Sequence, residues 1–298
     1  MTATSDIRIA ALVAVLRHKL VPATQLAELV EGHGDPLEYL RELAAPDAGQ
    51  LFSDPKLDVD PELQTILREI GEWRSREIAV VSVFDEAYPL NLRTVYNRPA
   101  VLMIKGHLDD RDTNSVAVVG TRRASERGLA RARKLASQLV EAGYVVVSGL
   151  ADGVDAAAHH GALDVGGRTV AVIGTGHDHA FPKANAALQH DLSERSAVVS
   201  PFWPDQGPRP WTFPQRNAVM SGFALATVVV EASHTSGAKM QARLALEHGR
   251  PVFLLESLLE HQWAQDYAER PGVYVVAGTD EVVGRLERLY PAELVVAS

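Results

Sequence analysis

Five stretches of the chain place glycine, small polar residues and cations where anion chemistry needs them. VAVVGTRRAS (116–125) runs from an apolar segment into Gly120, where a backbone can turn sharply, and then into Arg122 ahead of a helix beginning near Ser125. Free N–H groups at a helix start, beside a guanidinium, suit a phosphate. VVVSGLADGVDAAAHHGAL (145–163) sets Ser148 and Gly149 at a second such turn, with Asp152 or Asp155 available to cap the next helix. AVIGTGHDHAFPKANAAL (171–188) supplies Gly174 and Gly176, then Phe181–Pro182–Lys183 before a helix. WTFPQRNAVMSG (211–222) reads as an aromatic-rich loop carrying Arg216 and Asn217. Rings beside cations there would stack bases, or would simply order a Pro-rich loop. In TVVVEASHTSGAKMQARLALEHGR (227–250), Glu231 ends an apolar run and Ser236–Gly237 opens a helix, another start ready for an anion.

Other chemistries fit these residues poorly. Asp155 and His159, four apart, share a helix face, but no third metal ligand accompanies them. They read as a capping carboxylate and a histidine bonded within the fold, and no metal is expected. Gly174-Thr-Gly176 lacks the third glycine of a dinucleotide fingerprint, and no Walker loop is present, so no cofactor is expected. The chain has no cysteine, which excludes disulfides, thiolate zinc sites and cysteine nucleophiles. Glu231 would act as an acid or base only with a substrate proton within hydrogen-bond reach, and no catalytic residue is assigned.

The elements that must position these residues are legible in the apolar pattern. Short, nearly continuous apolar runs recur at 78–84, 100–106, 115–120, 144–149, 169–174, 196–200, 226–232, 251–256 and 273–278. Such runs are strands covered on both faces. Amphipathic segments alternate with them; in ERGLARARKLASQLVEAG, Leu129, Ala132, Leu135, Ala136, Leu139 and Val140 form one stripe. The pattern predicts a Rossmann-like α/β fold, a doubly wound and mostly parallel sheet over residues 76–298, with a small helical domain over residues 1–75. Within the latter, Pro22 begins a helix, Gly32, Gly34 and Pro36 punctuate the next ones, and residues 46–61 read as a loop. A helix-turn-helix use of the region is conceivable, but its second helix has few basic residues, so packing or protein contact is expected of it rather than DNA reading. In a doubly wound sheet ligands sit at the carboxyl ends of the strands, where all five stretches fall.

Composition bounds the partners. At 298 residues, with 46% hydrophobic and 22% charged residues, the chain is globular rather than disordered. The start MTATSDIRIA lacks a signal-peptide pattern and the apolar runs are far too short to span a bilayer, so a cytoplasmic protein with no membrane partner is expected. A net charge of −9 disfavours a polyanion, yet TRRASERGLARARK (121–134) carries six cations against the single Glu126. Such a stripe serves an anionic ligand, or is only a solvated helix face.

The order of the motifs carries more than any one of them. Tyr88–Pro89 with a downstream NRPAVLMIKG, then VGTR, SGLADGVDAAAH with GAL, FPKAN, FPQRN, and VVVEA with SG, closely resembles the DNA-processing protein A family (DprA, also called Smf) from about residue 78 to 256. The resemblance implies single-stranded DNA binding, self-association, and delivery of DNA to the recombinase RecA during natural transformation. It places DNA-binding positions at Arg122, Ser148, Gly149, Lys183, Arg216 and Asn217; Gly120, Ser236 and Gly237 join them as phosphate-binding turns. The chain departs from the family pattern in Ala218, where a second arginine is usual, in Ser200–Pro201, where Ser-Glu is usual, and in Gln241, where threonine is usual. It also stops at Ser298, which the resemblance reads as leaving no room for the C-terminal winged helix of many relatives. The alternative is a nucleotide sensor or an enzyme like the phosphoribohydrolases of the same fold group, whose PGGxGTxxE loop has no counterpart here.

Overall fold

Each of the nine apolar runs becomes a strand of one sheet in the computed structural model, which describes residues 3–45, 57–232 and 237–291. The strands are β1 (Ile78–Ser82), β2 (Val101–Gly106), β3 (Ser115–Val119), β4 (Val145–Ser148), β5 (Thr169–Val172), β6 (Ala197–Ser200), β7 (Ala226–Val229), β8 (Val252–Leu255) and β9 (Val273–Val276). Their spatial order is β1-β2-β6-β5-β4-β3-β7-β8-β9. Only β2 opposes the rest, pairing antiparallel with β1 and β6. In the middle, Val116 of β3 lies level with Val146 of β4 on one side and Ala226 of β7 on the other. From β3 the chain winds one way through β4, β5 and β6, then returns to place β7 on the opposite side of β3. That reversal opens a crevice at the carboxyl ends of β3 and β7.

The helices are α1 (Ala3–Arg17), α2 (Ala23–His33), α3 (Pro36–Ala44), α4 (Val59–Ser75), α5 (Leu90–Arg93), α6 (Glu126–Glu141), α7 (Val154–Asp164), α8 (Ala186–Arg195), α9 (Thr212–Phe223), α10 (Gly237–Glu247), α11 (Gln262–Ala268) and α12 (Thr279–Leu289). The pleat of β3 divides the core between two faces: Val116 and Val118 pack with α6, α7 and α12, while Ala117 and Val119 face the cluster that includes α9, α10 and α11. The same cluster takes in α1 to α4. Ile9 to Val15 of α1 have no exposed surface, because α3, α4, β1 and β2 surround them. No helix among the described residues is long and apolar enough to cross a membrane.

Several local expectations are corrected. Residues 211–222 are not a loop but helix α9, because Pro214 lies in the first turn, where its missing N–H costs nothing. Neither Asp152 nor Asp155 caps α7; Gly153, at φ 78, occupies the cap without a side-chain bond. Helix α4 starts at Val59, so the end of the expected 46–61 loop is helical, and 46–56 lies outside the described residues. Leu129 leaves the buried stripe of α6 and is 37% exposed.

Candidate functional site

The crevice is framed by backbone that tolerates no side chain. After β3 the chain turns through Gly120, and the Thr121 amide donates to the Glu231 carbonyl at 2.7 Å, tying the ends of β3 and β7 together. A Cβ on Gly120 would lie 2.7 Å from that carbonyl oxygen and overlap Val154. The Glu231 carboxylate then spans to α6: its oxygens accept from the Ser125 amide at 2.9 Å and the Ser125 hydroxyl at 2.7 Å. Ser125 Oγ in turn accepts from the Gly128 amide at 3.0 Å, the cap expected of it. Glu231 is therefore a brace at a positive helix end, with both oxygens engaged by one residue.

Beneath the crevice lies a buried pair of opposite charges. Arg216 of α9 is 5% exposed and Asp155 of α7 is 6% exposed, and a Cβ on Gly149 would overlap the guanidinium and crowd the carboxylate. Gly149 thus leaves the space that both charged groups border, and no ion pair joins them directly among the described residues. Arg216 Nη1 donates to the Val172 carbonyl at 3.0 Å, and its Nε has no partner among the described residues. Asp155 accepts from the Ala151 amide at 3.4 Å. Burial raises the Asp155 carboxyl above the usual carboxylate range while Arg216 holds it down; burial likewise lowers the Arg216 guanidinium, against the pull of Asp155.

Two neighbours serve the fold alone. Ser148 is fully buried, and its hydroxyl donates to the Val118 carbonyl at 2.6 Å, so its side chain does not face a ligand. His159, also fully buried, bonds through Nδ1 to Thr169 Oγ1 at 2.7 Å, and that hydroxyl donates to the Val146 carbonyl at 2.9 Å. The histidine is therefore the donor. Burial pushes it down to about 3, with the charges of His160 and Arg216 acting in the same direction.

The exposed rim is cationic and aromatic. Arg122 lies over the Phe213 ring at 5.0 Å, and Phe213 meets Phe181 at 5.6 Å. Phe181 is 41% exposed and Trp211, propped edge-on against Phe202, is 51% exposed. Lys183 is exposed on the turn just beyond Phe181. A cavity of about 460 Å³ on one side of Arg122 is lined by Gly120, Arg123, Asp155, Asn217 and Gly237 among others. A smaller hollow of about 80 Å³ on the other side reaches Gly149, Gly174 and Phe181. Both share Arg122, Ala151, Phe213 and Arg216, so they are two bays of one groove.

Of the residues singled out from the sequence, Gly120, Arg122, Arg216, Asn217 and Gly237 meet at the larger bay and Gly149 at the smaller one; Lys183 stands beside them, and Ser236 lies outside the described residues. The sequence reading missed the role of Gln241. Its amide, oriented to satisfy both neighbours, donates to the Asn217 carbonyl and accepts from the Ser221 amide, each at 3.2 Å, locking α10 to α9. Trp203 stacks on Trp73 of α4, their ring centroids 5.9 Å apart. In the basic stripe, Arg133 pairs with Asp164 at 2.5 Å and Arg131 bonds Ser257 at 2.9 Å. Arg122, Arg123, Arg127 and Lys134 make no ion pair among the described residues.

A doubly wound sheet whose switch-point crevice carries arginines, tight glycine turns and exposed rings defines a Rossmann-like protein with a cationic, ring-lined groove. Comparison with known proteins agrees. Residues 79–271 match the family described as DNA recombination-mediator protein A, and the chain belongs to that family. It is 41% identical over 174 residues to DNA processing protein DprA of Streptococcus pneumoniae, covering 58% of this chain and 61% of that one. With the Bacillus subtilis protein of the same name it shares 30% over 210 residues, 70% of this chain and 71% of that one. The X-ray structure of the pneumococcal protein superposes with a TM-score of 0.73 at 30% identity, over 95% of this chain and 98% of that one. A Helicobacter pylori DprA structure, described for its single-stranded DNA binding mode, shares the fold at a TM-score of 0.64 and 23% identity, over 72% of this chain and 97% of that one.

Proposed function

We propose that this protein binds single-stranded DNA along the groove at the carboxyl ends of its strands, as a non-enzymatic component of DNA processing and recombination. The observation that carries this is the pairing of Arg122 with the Phe213 ring where the two bays join, with Phe181 against Phe213 in the smaller bay. A groove of that form suits a polymer. Arginine grips phosphate whatever the sequence, and exposed rings accept any base face. Family membership and the DNA bound by the Helicobacter relative support the same reading.

In this reading Arg122, Arg123 and Lys183 hold phosphates, with backbone N–H groups near Gly120 and Gly237 assisting. Gly149 and Arg216 shape the floor, and Asn217 faces the larger bay. The engagement of both Glu231 oxygens by Ser125 argues against acid–base chemistry there. We extend the reading, on the family resemblance, to a cytoplasmic protein that self-associates and hands its DNA to RecA.

Fluorescence anisotropy with a labelled oligothymidine is the test. The intact protein is expected to bind the single strand more tightly than a duplex of equal length, and Arg122→Ala to weaken binding for every sequence tried. Equal binding by Arg122→Ala, or none by the parent at low salt, would refute the assignment.

A further inference from the structure

Two loops present the exposed rings of the groove, and both are gripped from outside it. The loop after β5 carries Phe181, and the loop after β6 carries Trp211. They are laced together through their backbones: the Gly176 amide donates to the Gln206 carbonyl at 2.8 Å, and the Asp178 amide to the Pro204 carbonyl at 2.9 Å. Gly176 permits that approach, since a Cβ there would overlap the Trp203 and Pro204 carbonyls. The end of α4 then holds each loop once. Trp73 stacks on Trp203 with their planes 17° apart, and Arg76, just past the helix, donates through Nη1 to both oxygens of Asp178, at 2.9 and 3.1 Å. Each grip lies beside the support of a ring. Phe202, next to Trp203, props Trp211 edge-on, and Phe181, shortly after Asp178, meets Phe213. Trp73 and Arg76 both precede residue 79, where the family match begins.

We infer that α4 is a positioning element of the groove: Trp73 and Arg76 hold the two laced loops so that Phe181 and Trp211 stand where the bases of a bound strand pass. The inference rests on the single-strand reading above. From β5 to the turn at Lys183, and from β6 to α9, the chain has no helix or strand, and such segments open locally unless something pins them. The pins come from an anchored element, for Ile66 and Ile70 bury α4 in the core it shares with the sheet. Arg76 and Asp178 are 45% and 37% exposed, and an ion pair in that setting adds little to global stability. Joining an anchored helix to a loop that carries a ring gives the pair a local use instead. Bases stack only on rings that stand ready, so loosened loops lower affinity by the fraction of molecules in which they do not. The grip on phosphates is separate. Arg122 and Arg123 lie between β3 and α6, a turn tied to β7 by the Thr121 amide and not to α4. Helix α4 therefore governs the share of affinity that comes from bases and leaves the share of the arginines alone.

Anisotropy and hydrogen exchange on the full chain test this together. Arg76→Ala and Asp178→Ala are each expected to weaken oligothymidine binding about two- to fivefold, the range set by an exposed ion pair, and to leave binding of an abasic oligomer of equal length unchanged. The sign for Asp178→Ala is decisive. Removing an acid from a chain of net charge −9 would tighten DNA binding if charge alone acted, whereas the positioning role predicts weakening. Trp73→Phe, which keeps a ring on Trp203, is expected to bind like the parent, and Trp73→Leu more weakly. In hydrogen exchange, Arg76→Ala should speed residues 174–182 and 202–211 by about two- to fivefold and leave α6 as it was. Unchanged exchange in the two loops overturns the inference, as does an Asp178→Ala protein that binds oligothymidine as tightly as the parent or more so. Equal losses for oligothymidine and the abasic oligomer overturn it too, because the defect would then lie in phosphate contacts. These two surface variants keep the test decisive should a Trp73 variant fail to fold. If the parent binds no oligonucleotide at low salt, the strand reading falls, and exchange alone decides whether α4 holds the loops.

Discussion

At the scale of single residues, the charged groups nearest the groove divide into those that face a ligand and those that hold the frame. Glu231 holds the frame: it neutralises the start of α6 and joins it to β7 through Ser125. Replacing it by glutamine keeps the shape but loses the charge on both bonds. Glu231→Gln is expected to cost up to about 1.5–3 kcal/mol in urea unfolding, the range for hydrogen bonds to a charged group. The parent protein, incubated for long periods with nucleoside monophosphates, is expected to release no free base by chromatography; release abolished by Glu231→Gln would make the glutamate catalytic after all. His159 sets a pH dependence of its own. Its folded value of about 3 lies below the roughly 6.5 of an exposed histidine, so below about pH 6.5 the unfolded chain takes up a proton that the folded one refuses. Stability contributed by this site is complete above that pH and falls on acidification, approaching about 1.4 kcal/mol per pH unit, until folded His159 itself titrates. Urea midpoints at pH 7, 6 and 5 should show this fall. A His159→Gln variant, which keeps a polar group near Thr169 but cannot titrate, should show a shallower one.

At the scale of elements, α1 to α4 and the sheet share one continuous apolar cluster, in which Ile66 of α4 has no exposed surface. Ile66→Ala is expected to cost about 2–5 kcal/mol. If the helical region and the sheet unfold together, circular dichroism and Trp fluorescence will move with a single lowered midpoint. A separate early transition would instead mark residues 1–75 as an autonomous domain. Most of this architecture was legible in the sequence because buried parallel strands have no polar face: all nine apolar runs became strands, and the glycines at their ends became the groove. What was not legible depended on contacts between distant segments. The run 211–222 lacks a clear apolar stripe, because α9 is buried on most sides and polar Arg216 and Asn217 are among its buried residues. Nothing local could show that Gly149 opens onto Arg216, or that Glu231 would be met by Ser125, 106 positions earlier. The arginine of FPQRN looked like a surface cation because its countercharge, Asp155, lies on another helix.

At the scale of the whole molecule, self-association and long-range charge are the open quantities. The apolar stripe of α10 is spent within the chain: Ala238, Ala242, Leu244 and Ala245 are buried. Self-association therefore rests on family resemblance, and light scattering at micromolar concentration is expected to give more than one chain per particle; a clean monomer across that range would remove it from the proposal. Charge gives the sharper prediction. The chain carries 38 acidic and 29 basic side chains, so its far field repels DNA, yet the groove presents Arg122, Arg123 and Lys183 without ion-pair partners among the described residues. The repulsion is screened beyond about 8–10 Å in physiological salt, while contacts in the groove act at closer range. Affinity for a single strand should then fall with log salt at a slope of about −2, corresponding to roughly three neutralised phosphates at about 0.7 each. Arg216, which the resemblance placed among the DNA-binding positions, is buried and already bonded to the Val172 carbonyl, so the three are Arg122, Arg123 and Lys183. Arg122→Ala and Arg123→Ala should each flatten the slope by about 0.7, and Asn217→Leu should leave it unchanged while weakening binding. Anisotropy titrations at several salt concentrations read all three. A parent slope near zero, or an Asn217 variant that flattens it as the arginine variants do, would mean that the exposed cations are not what holds the phosphates.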